Sequence, residues 1–372
     1  MKRRIKILYI VSNLRRCGPT NQLLGIMKNI DNKKFDISVL TLSPEPDESS
    51  ISNFVSEGIS VNSLNLSRHK FVILGKQKLK KFLISYKPDI IHTSGVRADS
   101  VVSKIKKSGK HIMTIRNYVY EDYISKFGYF LGFLLSKSAI RSMKKDSLVV
   151  LCSFTLKYKY KELLSKKLYV VQNGVDTLKY KVNSFERYIN LRKQLNLSPK
   201  KRIFLVVGSL IERKDPLTII NAFLEAKVNE NAQLVILGDG YLLDECKKHS
   251  IDSILLRGNV NNVDKYLQAS DVYISASKSE GLPNSVLEAG SSGKHLLLSN
   301  IPEHKEIIDD NKLEVDFFNI GDIKALSKLI KDYTSRNIEF SKTNEYYFGK
   351  NYSNKKMSEN YQKIYTELLS TE

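Results

Sequence analysis

Short apolar runs alternate along this chain with longer stretches in which apolar positions recur every three or four residues. The first kind suits a parallel strand buried on both faces, and the second suits one face of a helix. The first half predicts strands at Ile5–Val11, Ile37–Leu42, Ser60–Leu64, Ile90–His92, Ile112–Ile115, Leu148–Leu151 and Tyr169–Val171. Helices such as Asn21–Ile30 and Val96–Lys107 fill the gaps. The second half repeats the rhythm, with strands at Ile203–Val207, Gln233–Leu237, Ile254–Leu256, Val272–Ser275 and His295–Ser299. Two such series, each opening with an apolar strand that ends in a Gly-bearing loop, imply an α/β protein with two doubly wound parallel sheets. Ligands then belong beyond the C-terminal edges of the strands. The polar stretch Asp176–Arg202, which carries Pro199, predicts the linker. The tail Asn351–Leu369 places Met357, Tyr361, Ile364 and Leu368 at helical spacing.

Composition narrows the class. With 372 residues and 42% hydrophobic content the chain has material for about two cores. No run approaches the roughly 18 apolar residues of a membrane span, and the N-terminus reads as a first strand after Met1-Lys-Arg-Arg4, not as a signal peptide. Cys17, Cys152 and Cys246 are odd in number and far apart, as expected of reduced thiols in a cytoplasmic protein. Charge is lopsided: residues 1–172 hold 32 Lys/Arg against 12 Asp/Glu, whereas residues 173–372 hold 28 against 27. A basic half beside a neutral one points to a polyanionic partner, whether nucleic acid, anionic lipid or a lipid-linked phosphate. The chain lacks a helix-turn-helix, zinc or RNP signature, which argues against specific nucleic-acid binding. A Lys-rich genome accounts for many lysines but poorly for the imbalance.

The most informative segment is Glu280-Gly-Leu-Pro-Asn-Ser-Val-Leu-Glu288, which follows the Val272–Ser275 strand. Pro283 suits the first turn of a helix running through Glu288. The first backbone N–H groups of such a helix form an anion seat. Glu280 precedes that seat and Glu288 lies one turn in, on the face of Asn284, so two acids flank a bound phosphate. A cationic pair, Arg213-Lys214, follows the end of the Ile203–Val207 strand and Gly208, and suits a pyrophosphate.

The E-x7-E segment with Gly-Leu-Pro-Asn inside it resembles the retaining glycosyltransferases of family 4. The resemblance implies the GT-B fold, with two Rossmann-like domains facing a central cleft. It assigns residues 1–178 to an acceptor and membrane side, with the helix 352–372 packing back onto it, and residues 179–351 to the nucleotide-sugar donor. In the family the first acid, here Glu280, meets the donor sugar and the second, here Glu288, meets the ribose. Donor contacts then fall on Gly18, Gly208, Ser209, Val260, Gly281, Leu282, Pro283, Asn284 and Ser285, with Lys214 and Arg213 on the phosphates. Three positions depart from the pattern. Ser209 replaces the usual Arg, Pro19 replaces the second Gly of the first loop, and Arg116 stands where the family often carries a His. Arg116 and Asn117 are the expected acceptor-side pair, and Arg116 is always charged, so it is no base. Gly238-Asp-Gly240 matches a family turn near the nucleotide. Gln172-Asn-Gly-Val-Asp176 reads as a tight turn with Gly174 at positive φ.

The activity implied is transfer of a hexose from a nucleotide diphosphate sugar, UDP favoured, to a hydroxyl of a lipid-linked saccharide, as in capsule or O-antigen assembly. No cofactor is expected, and no metal, because no cluster has metal-ligand spacing and no D-x-D ends a strand. The expected location is the cytoplasmic face of the cell membrane. Lys70–Lys87 and Tyr123–Lys145, the latter with the nine-residue apolar block Phe127–Leu135, are the candidate membrane-facing segments; a core helix under the sheet explains that block equally well. The alternatives are a GT-B nucleotide-sugar 2-epimerase and a degenerate, non-catalytic GT-B protein.

Overall fold

A computed structural model of the chain describes residues 3–105, 109–145, 147–249, 251–308 and 312–370. It divides into two compact units, Met1–Gly174 with Asn354–Glu372, and Val175–Ser353. The first carries β1 (Ile5–Val11), β2 (Phe35–Thr41), β3 (Ser60–Ser63), β4 (Ile90–Ser94), β5 (Lys110–Ile115), β6 (Leu148–Leu151) and β7 (Leu168–Val170). They form one parallel sheet in the order β3-β2-β1-β4-β5-β6-β7. The second unit carries β8 (Arg202–Val207), β9 (Ala232–Leu237), β10 (Ile254–Leu256), β11 (Val272–Ser275), β12 (His295–Ser299) and β13 (Val315–Phe318). Its parallel order is β10-β9-β8-β11-β12-β13. In each sheet the strand order reverses once, between β1 and β4 and between β8 and β11. In open α/β sheets ligands gather at such reversals, beyond the carboxyl ends of the strands.

The central strands are buried on both faces, which their near-continuous apolar sequences require: Ile203 to Leu205 and Val272 to Ile274 are almost wholly buried. Polar exceptions are bonded. In the first unit Tyr9 of β1, His92 of β4 and Thr114 of β5 form a hydrogen-bonded cluster with Tyr361 and Tyr365 of the last helix, Asn354–Ser370. His92 therefore packs rather than titrates: burial, helped by the Arg116 charge, holds its imidazole down at about 3.

Several expectations need correction. Asp176–Arg202 is not a linker, because it contains the helix Phe185–Gln194, which buries Tyr188, Leu191 and Arg192. Arg192 is tolerated there because Asp271 pairs with its guanidinium at 2.6 Å and backbone carbonyls take its remaining N–H groups. The boundary between units falls at Gly174/Val175 instead. β13 was not foreseen from the sequence. Gly174 does not take positive φ; a Cβ there would lie 2.7 Å from the Cα of Asn354, so close backbone approach explains the glycine. Pro283 caps the helix Asn284–Ser291 and does not open its first turn. The apolar block Phe127–Leu135 is split at Gly128, φ +76, between the helices Val119–Phe127 and Tyr129–Met143. The expected helix Val96–Lys107 is seen over Val96–Val102, and Lys106 and Lys107 lie outside the described residues, as do Met1, Lys2 and residues 371–372.

Candidate active site

At the reversal of the second sheet, β8 ends at Val207–Gly208 and β11 at Ser275, and the loops that follow are tied together. The Lys278 N–H donates to the Arg213 carbonyl at 2.8 Å, and Arg213 Nη1 donates to the Ser279 carbonyl at 2.7 Å. Arg213 Nη1 also donates to Glu280 Oε2 at 3.0 Å, while Lys214 Nζ pairs with Oε1 of the same carboxylate. The stem of Lys214 packs over Gly208, about 3.6 Å from where a Cβ would stand. Gly238 and Gly240 are needed for packing, since a Cβ at either would lie within 2.3 Å of the Gly208 or Leu210 carbonyl oxygen. The Gly-Asp-Gly turn thus packs directly against the Gly208–Leu210 loop.

Glu280 has a side chain only 7% exposed. Burial alone would raise its pKa, but the Lys214 and Arg213 charges and bonds from Lys214 and Ser277 hold it at about 2. Ser277 donates to Oε1 at 2.7 Å, and a chain of hydroxyls from Ser275 and Ser299 joins it to His304. Burial keeps the His304 imidazole low, at about 4, so it is a neutral orienting group near physiological pH. Two cations face one acid, and the excess positive charge sits beside the start of the helix Asn284–Ser291, where the helix dipole adds to it.

The remaining residues of the segment are placed less uniformly. Gly281, Leu282 and Pro283 are buried. Asn284 opens the helix, and Ser285 accepts a hydrogen bond from the buried Tyr273 hydroxyl at 2.8 Å. Glu288 lies one turn further, away from the cations of Glu280 and beside Tyr180, Lys179 and Asp264. Burial raises its carboxyl to about 7, against the pull of Lys179 and a Tyr180 hydrogen bond. Ser209 is exposed at the loop tip, and Val260, partly exposed, stands apart on the loop after the edge strand β10. In the first unit Gly18 opens the helix Gly18–Lys28 with Pro19 in its first turn. Arg116 Nη1 donates to Asn173 Oδ1 at 2.6 Å, and exposed Asn117 donates weakly to Asp122 at 3.4 Å. Asn173, Ser277 and His304 were missed from the sequence. Only the proximity of His304 to a strand end hinted at a role.

Two doubly wound parallel sheets, one with a cationic, acid-bridged corner at the reversal of its strand order, define the class of fold, and known proteins share it. Residues 18–179 match the model for Glycosyltransferase Family 4, and residues 188–347 match that for Glycosyl transferases group 1. WclY, an O-antigen biosynthesis glycosyltransferase of Escherichia coli, is 27% identical over 98% of this chain and 99% of its own length. The UDP-Gal:alpha-D-GlcNAc-diphosphoundecaprenol alpha-1,3-galactosyltransferase of Escherichia coli is 30% identical over 44% of this chain and 46% of that one. The structure of Anabaena Alr3699/HepE in complex with UDP and glucose aligns at TM-score 0.80 and 16% identity, over 99% of this chain and 100% of that chain, a likeness of fold. The protein is a glycosyltransferase with the GT-B fold. Its first half carries a glycosyltransferase family 4 domain and its second half a group 1 glycosyltransferase domain.

Proposed function

We propose that the protein transfers a hexose, with retention of anomeric configuration, from a UDP-sugar to a lipid-linked saccharide during surface polysaccharide assembly. The observation that carries this reading is the Arg213–Glu280–Lys214 cluster at the β8/β11 reversal. A donor diphosphate arriving there takes over the two cations, and Glu280, released from them, turns to the hydroxyls of the sugar. Arg213, Lys214 and the start of the helix Asn284–Ser291 then stabilise the departing diphosphate as positive charge builds on the sugar. Because side chains supply that charge, activity needs no metal. Glu288 and Val260 serve the ribose and the base. The leaving phosphate oxygen accepts the proton of the attacking hydroxyl on the face it vacates, so no covalent nucleophile is required.

The acceptor belongs to the first unit, with Arg116 and Asn117. UDP as carrier and a diphosphate-linked lipid acceptor are suggested by the names of the relatives. Membrane contact is supported by the exposure of Val72 (85%), Ile73 (80%), Tyr129 (74%) and Phe130 (78%) among exposed lysines of the helices Arg68–Tyr86 and Tyr129–Met143. Among the described residues no helix is long and apolar enough to cross a membrane, so this contact is peripheral.

A panel of nucleotide sugars in a thermal-shift assay, followed by product analysis in EDTA, tests the reading. It predicts stabilisation by UDP-sugars and slow, EDTA-resistant hydrolysis without acceptor. Epimerised nucleotide sugar, or turnover abolished by EDTA and restored by a divalent metal, contradicts it.

A further inference from the structure

The first sheet also has a cavity at its reversal, of about 240 Å³. Its walls follow the ends of β1, β4 and β5: Pro19, Gly95, Asp99 and Arg116, closed by Tyr123 and Met143 from the two helices that cover it. Asp99 lies on the helix Val96–Val102 and is only 8% exposed. Its Oδ1 is buried without a hydrogen-bond partner, and so is Nε of Arg116. Folded proteins rarely leave buried polar atoms unpaired, and exceptions cluster where a ligand or water completes the set. The other cationic groups nearby are engaged, since Lys126 pairs with Asp122 at 2.8 Å and Arg116 Nη1 with Asn173.

The two orphaned atoms are complementary. A carboxylate oxygen needs a donor and a guanidinium N–H needs an acceptor. A sugar hydroxyl offers both, one O–H and two lone pairs. The cavity is smaller than the roughly 300–1,000 Å³ of sites for larger ligands, which fits one sugar ring and no more. A ring bearing its own carboxylate would meet Asp99 with like charge.

We propose that this pocket takes the terminal sugar ring of the acceptor and that Asp99 accepts a hydrogen bond from one of its hydroxyls, selecting neutral over acidic rings. The proposal rests on the glycosyl-transfer reading and adds an acceptor-specificity residue to it. Burial raises the Asp99 carboxyl to about 7, against hydrogen bonds from Thr93 and the Gly95 backbone, so above that pH it is charged, accepts a hydrogen bond and repels an acidic ring.

The test uses the full chain saturated with UDP at about pH 8.5, where Asp99 is ionised, and saturation-transfer NMR with four probes: the methyl glycosides of glucose, galactose and N-acetylglucosamine, and glucuronic acid. At least one neutral glycoside should bind and glucuronic acid should not. Asp99→Leu should weaken the neutral glycoside about tenfold or more with UDP affinity unchanged. Asp99→Asn, which keeps the shape should the leucine variant fail to fold, should keep weaker neutral binding and admit glucuronic acid. Neutral binding equal in parent and both variants, or no glycoside binding by a parent that binds UDP, overturns the pocket assignment alone. A parent that binds neither UDP nor glycoside overturns the transfer reading with it.

Discussion

The two sheets share a topology and differ in what stands at their reversals. In the second unit the acid, Glu280, is answered by two cations and held ionised near pKa 2. In the first, Asp99 is as deeply buried but has an unanswered oxygen, and its carboxyl rises to about 7. One fold thus presents a net-positive corner with its acid paired, and a pocket whose acid keeps an unanswered oxygen, each at the reversal of a sheet. Under the proposed function, the first arrangement would receive a leaving diphosphate, its negative charge displacing the acid from cations already in place. The second suits a neutral hydroxyl donor. The contrast lies beyond the strand ends, in the loops that carry Arg213, Lys214 and Glu280 and in the helix that carries Asp99.

The sharpest way to break the comparison is to remove the cations of the second unit. Lys214→Ala should lower kcat/KM for UDP-sugar about 10²–10³-fold, the scale seen when a preorganised charge at a leaving group is deleted. Arg213→Ala should cost less, about tenfold to a hundredfold, because it also spends a hydrogen bond on the Ser279 carbonyl. Steady-state hydrolysis of UDP-sugar reads both, and equal activity in either variant would remove that residue from the phosphate site. A smaller effect concerns the basic surface of the first unit. Reversing Lys78, Lys80 and Lys81 to Glu should reduce cosedimentation with anionic vesicles several-fold and weaken its salt dependence. Unchanged, salt-insensitive binding would sever the charge imbalance from membrane contact.

The smallest effect is on stability, at Glu288. Its carboxyl titrates near 7 when folded against about 4.5 unfolded, so the folded state holds the extra proton between those values. The contribution of Glu288 to stability therefore declines as pH rises from about 4.5 to 7 and is level beyond. Relative to the parent, Glu288→Gln should gain in melting temperature over that window and keep a constant difference above it. A difference that is flat from pH 4.5 to 8 would place the Glu288 carboxyl at an ordinary pKa.

The strands were largely legible because buried parallel strands are apolar without interruption, and Leu148–Leu151, Ile254–Leu256, Val272–Ser275 and His295–Ser299 form as the pattern predicts. β13 was not, since Val315-Asp-Phe-Phe318 carries an acid and lies at the sheet edge. The helix Phe185–Gln194 looked like linker because its buried Arg192 is made tolerable by Asp271, a partner 79 residues away. The E-x7-E segment pointed to the anion corner, but the mutual pairing of Arg213, Lys214 and Glu280 depends on two loops meeting. Asp99 was invisible for a related reason. In Arg97-Ala-Asp-Ser100 it reads as a solvated helix residue, and only the cover of helices Val119–Phe127 and Tyr129–Met143 buries it.

Turnover of UDP-sugar by Glu280→Gln tests the central claim most directly, because glutamine keeps the shape and loses the charge that both cations grip. With folding verified by an unchanged melting profile at neutral pH, the account predicts at least a hundredfold loss of glycosyl transfer and of hydrolysis. Transfer at the parent rate by the folded variant would contradict it.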